Sequence, residues 1–265
     1  MEMQRSRKKE KRINRYWLYL VGGLVSVLLI GSVVWTVWSK QENVKEHERK
    51  NEQLAKEIAT NPDPKPEPAP LTKEDTAEKT DNGYIEGQAI PQEPSYIKGV
   101  LIASKKYPLP STFAPGEDPE AKKMLNEMLN NAKKAGFTLQ AFSGYRSYEY
   151  QTTLYDNYVK RDGKDAADRY SARPGYSEHQ TGLVYDIGEV GREDVWLTEA
   201  FGETPAGQWL RDHAHEYGFI MRYPKGKEDV TGYMYESWHF RYVGTTIASE
   251  IFTKQSTLEE YLGIE

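Results

Sequence analysis

Ser177-Glu178-His179-Gln180-Thr181-Gly182-Leu183-Val184-Tyr185-Asp186 and, some fifty residues on, Glu236-Ser237-Trp238-His239 are the stretches that decide the reading of this chain. Two imidazoles and a carboxylate can close three sides of a zinc tetrahedron, and a second carboxylate three residues before the last imidazole can act as a base on water. Catalytic zinc is held by three such groups with a fourth position open, whereas structural zinc is closed by four ligands rich in thiolate. The chain has no cysteine. A zinc ribbon or finger is therefore excluded, and any zinc must use His and carboxylate.

The candidates are few. Of the five histidines, His47 lies in a charged linker, and His213 and His215 fall in a stretch that reads as helix. Residues two apart on a helix point to different sides and cannot grip one ion together, so that pair reads as surface or half-buried. His179 and Asp186 flank Gly182, whose backbone freedom allows a bend, and Leu183 to Ile187 alternates as a short strand. Tyr235 to Tyr242 is aromatic-rich and also reads as strand or strand entry. Strict alternation would place His239 with Arg241 on one face and Trp238 with Phe240 on the other, so Glu236 is expected to approach from the turn before the strand. Taken singly, Asp186 reads as a surface carboxylate and His239 as a satisfied core imidazole; the two motifs together point to metal.

The pattern Ser-x-His-x-x-Gly-x-x-x-Asp, then Glu-x-x-His, preceded by Ser143-Gly144-Tyr145-Arg146-Ser147, resembles the VanY-type D-alanyl-D-alanine carboxypeptidases. These sit within a wider group of zinc peptidases that includes lysostaphin-like enzymes and the hedgehog signalling domain. The resemblance runs from about Tyr96 to Glu265 and takes in Arg222-Tyr223-Pro224, Thr231-Gly232-Tyr233 and Trp238 to Gly244 in order. It implies zinc on His179, Asp186 and His239, a catalytic base at Glu236, and contacts to the peptide substrate from Arg146, Gln151, Ser177 and Tyr223.

Chemistry makes sense of these roles. A carboxylate can take a proton from attacking water and return it to the leaving amine. A carboxypeptidase must also recognise a free terminal carboxylate or steady an oxyanion, and the paired donors of a guanidinium do either. Arg146 is the candidate, its alternative being a surface pair with Glu149 or Asp156. Ser177 either donates to the substrate backbone or caps the local turn.

Composition sets the surroundings. Residues 1–15 carry seven basic side chains against Glu2 and Glu10, and Tyr16 to Trp38 then runs without a charge. At 1.5 Å per residue such a run spans a hydrocarbon core of ~30 Å, with Tyr16, Trp17, Trp35 and Trp38 at the interfaces. The expectation is a cytoplasmic tail (1–15), an uncleaved signal-anchor helix (16–38), a charged and Pro-rich stalk (39–95) and a catalytic domain (96–265) on the outer face of a bacterial membrane. Asn61-Pro62-Asp63-Pro64-Lys65-Pro66 begins an extended spacer. The whole chain carries −5 and its basic tail is positive, so the exported part is acidic and nucleic acid is excluded as a partner.

Within 96–265, Asp118-Pro119 starts a helix that Gly136 ends, Phe137 to Ser143 alternates as strand, and a helix runs from about Ser147 to Val159. Thr204-Pro205 starts another, closing at Gly218, with a strand from Phe219 to Tyr223. The expected fold class is α+β, a mostly antiparallel sheet with flanking helices and the zinc site on the sheet. The leading function is removal of the C-terminal D-alanine from peptidoglycan stem peptides, with the D-alanyl-D-alanine bond favoured by the resemblance. Its alternatives are L,D-carboxypeptidase action on tetrapeptide stems, an endopeptidase, and a non-catalytic zinc-binding wall module. The sequence leaves the oligomeric state open.

Overall fold

The computed structural model describes residues 80–265. The expected tail, membrane span and most of the stalk lie outside the described residues, among which no helix is long and apolar enough to cross a membrane. Two small hairpins come first: β1 (Thr80–Asp81) with β2 (Tyr84–Ile85), and β3 (Ser95–Ile97) with β4 (Val100–Ile102). A four-stranded antiparallel sheet follows, built from β5 (Leu139–Ser143), β6 (Val184–Glu189), β7 (Phe219–Tyr223) and β8 (Glu236–Tyr242), in the order β5-β6-β8-β7.

Within the span expected as stalk (39–95), the described residues from Thr80 onward already form the first hairpin. Its polar composition concealed two things. Asn82-Gly83 is a two-residue hairpin turn with both φ angles positive, at 54° and 86°. Tyr84 then inserts its ring into the domain and is only 1% exposed.

The helices begin where their caps lie. In α1 (Pro119–Lys134), the Asp118 carboxylate accepts from Ala121 N at 2.8 Å and Pro119 sets the first turn. Ser147 caps α2 (Tyr148–Asp162) in the same way, accepting from Tyr150 N. After α3 (Lys164–Tyr170) and α4 (Glu199–Glu203), Thr204 caps α5 (Pro205–His213), which tightens into a 3₁₀ turn over Ala214–Tyr217 and stops at left-handed Gly218. The chain closes with α6 (Glu228–Thr231), α7 (Thr245–Lys254) and α8 (Leu258–Leu262). His213 stacks on Trp209 and His215 on Phe252, away from the metal candidates, as their spacing predicts.

Both faces of the sheet are covered. Tyr185, Ile187, Phe219, Trp238 and Phe240 face the core formed with α1 and α5, where Leu125, Met128 and Leu210 are buried. Truncating one such aromatic costs about 3–5 kcal/mol. On the other face Ile220 joins a second core with Val100, Ile251 and Leu258. Between them the alternating residues Asp186, His239, Arg222 and Arg241 are buried polar groups, and they make the site.

Candidate active site

Gly182 brings the first motif together. Glu178–Thr181 forms one 3₁₀ turn, and Gly182 follows in the left-handed region at φ 73°. A Cβ there would lie 1.9 Å from the Gly116 carbonyl oxygen, so only glycine lets the turn feed β6. His179 on the turn then faces Asp186 on the strand, with Nε2 3.3 Å from Oδ2. Asp186 and His239 are direct cross-strand partners of β6 and β8, and His239 Nδ1 lies 3.3 Å from Asp186 Oδ1.

Strict alternation in β8 would turn Glu236 away from His239. The register with β7 is irregular instead: Met221 pairs with Phe240, whereas Tyr223 pairs with Glu236. This irregularity brings Glu236 Oε2 to 3.3 Å from His239 Nδ1. Glu236 is thus the first residue of the strand rather than part of the preceding turn.

His179, Asp186 and His239 are all buried, and one ligand atom from each lies within 4.8 Å of the others. Their supports fit a metal. His179 Nδ1 sits 2.7 Å from the Gly144 carbonyl oxygen, which fixes the tautomer with Nε2 bare and aimed at Asp186. His239 presents Nδ1 to Asp186 and Glu236, and its Nε2 faces Glu178 Oε2 at 3.8 Å. Asp186 Oδ1 is buried with no hydrogen-bond partner.

The electrostatics agree. Burial and the nearby Arg146 lower the pKa of His179, leaving a neutral donor. Burial opposes ionisation of Asp186, yet His179 and His239 hold its carboxyl well below the usual range. Burial also opposes a charge on His239, but Asp186, Glu178 and Glu236 raise its pKa well above that of a free imidazole. The same carboxylates favour a cation at this point, and two imidazoles with one carboxylate suit zinc. Glu236 is raised above the ordinary glutamate value by burial, as suits a proton acceptor.

Arg146 stands on the β5 side of the metal candidates. Its Nη1 donates to Gln151 Oε1 at 2.9 Å, its Nη2 donates to Ser143 Oγ at 3.2 Å, and Nη2 lies 4.0 Å from Asp186 Oδ2. It pairs with neither Glu149 nor Asp156. Gln151, expected to contact substrate, packs beside Arg146 and accepts from it. It is 1% exposed, and its amide nitrogen donates to the Ala172 carbonyl at 2.6 Å, so both ends of the side chain are used inside the protein. Gln151 orients Arg146. Ser177, 3% exposed, starts the 3₁₀ turn without a side-chain cap bond, so the capping role is not used. The Tyr223 ring lies 4.8 Å from that of His239 and walls the metal candidates.

Sequence reasoning missed Glu178. Fully buried, it accepts from Arg222 Nε and Arg241 Nη1, both at 2.9 Å, and Arg222 also grips Glu259 of α8 through both terminal nitrogens. Both arginines were visible only as strand residues, and Glu178 only as the neighbour of a ligand. The signal that could have found them is charge at inward positions of strands otherwise lined with apolar residues.

A family model described as VanY, D-alanyl-D-alanine carboxypeptidase, matches residues 116–245. YodJ of Bacillus subtilis is 41% identical over 196 residues, 67% of this chain and 71% of its own length. The chain belongs to the VanY family. Among solved structures, an L,D-carboxypeptidase DacB from Streptococcus pneumoniae is 52% identical with a TM-score of 0.57, covering 63% of this chain and 87% of its own. The vancomycin-resistance D,D-pentapeptidase VanY in complex with Zn(II) is 32% identical with a TM-score of 0.52, covering 61% and 97%. This VanY-family chain is a zinc-dependent carboxypeptidase.

Proposed function

We propose that the enzyme removes the C-terminal D-alanine of peptidoglycan stem peptides. The observation that carries the reading is the convergence on one buried point of His179, Asp186 and His239, with Glu236 3.3 Å from His239 and Arg146 4.0 Å from Asp186. When bound, zinc supplies the Lewis acidity that activates water and polarises the scissile carbonyl. Glu236 takes the proton of the attacking water and returns it to the leaving amine. Arg146, fixed by Gln151 and Ser143, keeps N–H groups free for the substrate's terminal carboxylate. Ser177 donates to the peptide backbone, and Tyr223 walls the pocket beside His239.

The family supports the D-alanyl-D-alanine bond of pentapeptide stems. A second reading, the L,D bond of tetrapeptide stems, is favoured by the 52% identity to an L,D-carboxypeptidase, against 32% to the D,D enzyme. The groups that hold zinc do not read the stereochemistry one residue inward. Incubating the protein with synthetic penta- and tetrapeptide stems and weighing the products separates the two: loss of one alanine from the pentapeptide alone supports D,D action, and from the tetrapeptide alone L,D action. No loss from either contradicts the proposal.

The charge-free run from Tyr16 to Trp38 behind a basic tail supports a single-pass anchor with the catalytic domain outside. The Pro-rich spacer then holds the domain away from the bilayer toward the wall.

A further inference from the structure

The hairpin of β1 and β2 lies N-terminal to the region matched by the family model, which starts at residue 116, yet it reaches the walls of the active site. We propose that Tyr84 on this hairpin is a positioning residue that sets the gap between the two loops flanking the substrate. The proposal rests on the reading of the site as a carboxypeptidase groove.

Tyr84 touches both loops. Its hydroxyl accepts from the backbone N–H of Arg173 at 3.1 Å, and its ring meets that of Tyr176 edge-on at 4.9 Å; both residues belong to the segment that leads into Ser177 and His179. The same hydroxyl lies 3.3 Å from the Tyr233 hydroxyl. Tyr233 packs on Tyr223 at 4.9 Å, and Tyr223 packs on the ligand His239 at 4.8 Å. One buried hydroxyl thus joins the loop before the first ligand to the aromatic wall beside the last.

The hairpin is held firmly enough to act as a clasp. Asp81 accepts from Arg173 at 2.9 Å and also pairs with Lys164, and Asn82 donates to Asp165 and Asp168 at 3.1 and 3.0 Å. From the other side, Lys105 lies over the rings of Tyr84 and Tyr233 and donates to the Asn82 carbonyl at 2.9 Å. A Cβ at Gly83 would stand 3.2 Å from the Lys105 side chain at φ +86°, so the turn is shaped for this approach. Tyr84 is 1% exposed and does not itself face substrate. Its effect passes through Tyr233 and through the Arg173–Tyr176 segment.

A double-mutant cycle in the full chain tests this. Tyr84→Phe and Tyr233→Phe each remove one side of the hydroxyl contact while keeping both rings. Each is expected to raise KM for the stem peptide about tenfold, with kcat and zinc content within about twofold of wild type. The double variant is expected to be no worse than Tyr84→Phe alone, because that variant already removes the Tyr233 contact along with the acceptor for the Arg173 N–H. Lys164→Ala serves as the stability control, since it removes an ion pair that anchors the hairpin at Asp81 without touching Tyr84, Tyr233 or Arg173, and it should leave KM unchanged whatever it does to the melting temperature. Unchanged KM in both single variants, additive effects in the double, or a KM rise in Lys164→Ala equal to theirs would overturn the proposal. Failure of the carboxypeptidase reading would show instead in the wild type, as no D-alanine release at all.

Discussion

Asp186 and His239 stand directly opposite each other across β6 and β8, with carboxylate oxygen and imidazole nitrogen 3.3 Å apart. Directly opposed side chains in an antiparallel pair are held by the backbone ladder itself, so this half of the metal site is as rigid as the sheet. Asp186→Asn preserves the shape and removes the carboxylate's negative charge. It should weaken zinc binding by at least tenfold with little change in the melting temperature of the metal-free protein, measured by chelator competition. Unchanged affinity would remove Asp186 from the ligand set.

Glu236→Gln separates binding from chemistry. The amide keeps the side-chain volume but cannot accept a proton, so kcat should fall by about 10²–10⁴ while the zinc content stays at that of the wild type. Loss of zinc instead would make Glu236 a ligand.

Glu178→Gln removes the buried carboxylate behind His239 and leaves Arg222 and Arg241 short of a counter-charge. Zinc affinity is expected to drop by about 10–100-fold, because an imidazole that loses its second partner is a poorer and less oriented ligand. Stability should fall by about 3–5 kcal/mol. Isothermal titration of the metal-free variant reads the first and denaturant unfolding the second.

The acid limb of stability should depend on Asp168. Burial opposes its ionisation, but hydrogen bonds from Arg173, Tyr155 and Asn82 hold its carboxyl below the model-compound value of 3.8. A pKa depressed by folding gives stability that is complete above the unfolded value, near pH 4, and lost as pH falls through the folded one. Asp168→Asn should therefore destabilise the protein at pH 7 and flatten the decline of stability below pH 4, followed by urea unfolding across pH.

The cluster of His179, Asp186, His239 and Glu236 was legible from the sequence because metal chemistry fixes both residue type and spacing: His179 and Asp186 straddle a required glycine, and Glu236 leads His239 by three. The helix starts at Pro119, Tyr148 and Pro205 were legible from Asp118, Ser147 and Thr204, whose side chains satisfy the first free N–H groups. What escaped depends on contacts between distant segments. Glu178 meets Arg222, Arg241 and, through Arg222, Glu259 only after β6, β7 and β8 assemble. Alternation misplaced Glu236 because a register irregularity is a property of two strands, not one. The hairpin at Thr80–Ile85 was hidden by its polar residues, whose partners Arg173, Lys164 and Asp168 lie more than eighty residues away.

Arg146→Lys tests exopeptidase character. An ammonium keeps the charge but not the forked donors that Gln151 and Ser143 hold in place, so kcat/KM should fall by about 10²-fold. Amidating the substrate's terminus should abolish most cleavage by the wild type and erase its advantage over Arg146→Ala. Equal rates on free and amidated stems would place Arg146 outside carboxylate recognition.

The most direct test is the rate of D-alanine release from a stem peptide as zinc is returned to the chelated, full-length protein. The predicted curve rises from no detectable release to a plateau at one zinc per chain in the wild type, and stays flat at zero for His239→Ala at every zinc level. Full release by the chelated wild type, or a zinc-dependent rise in His239→Ala equal to that of the wild type, would contradict the account.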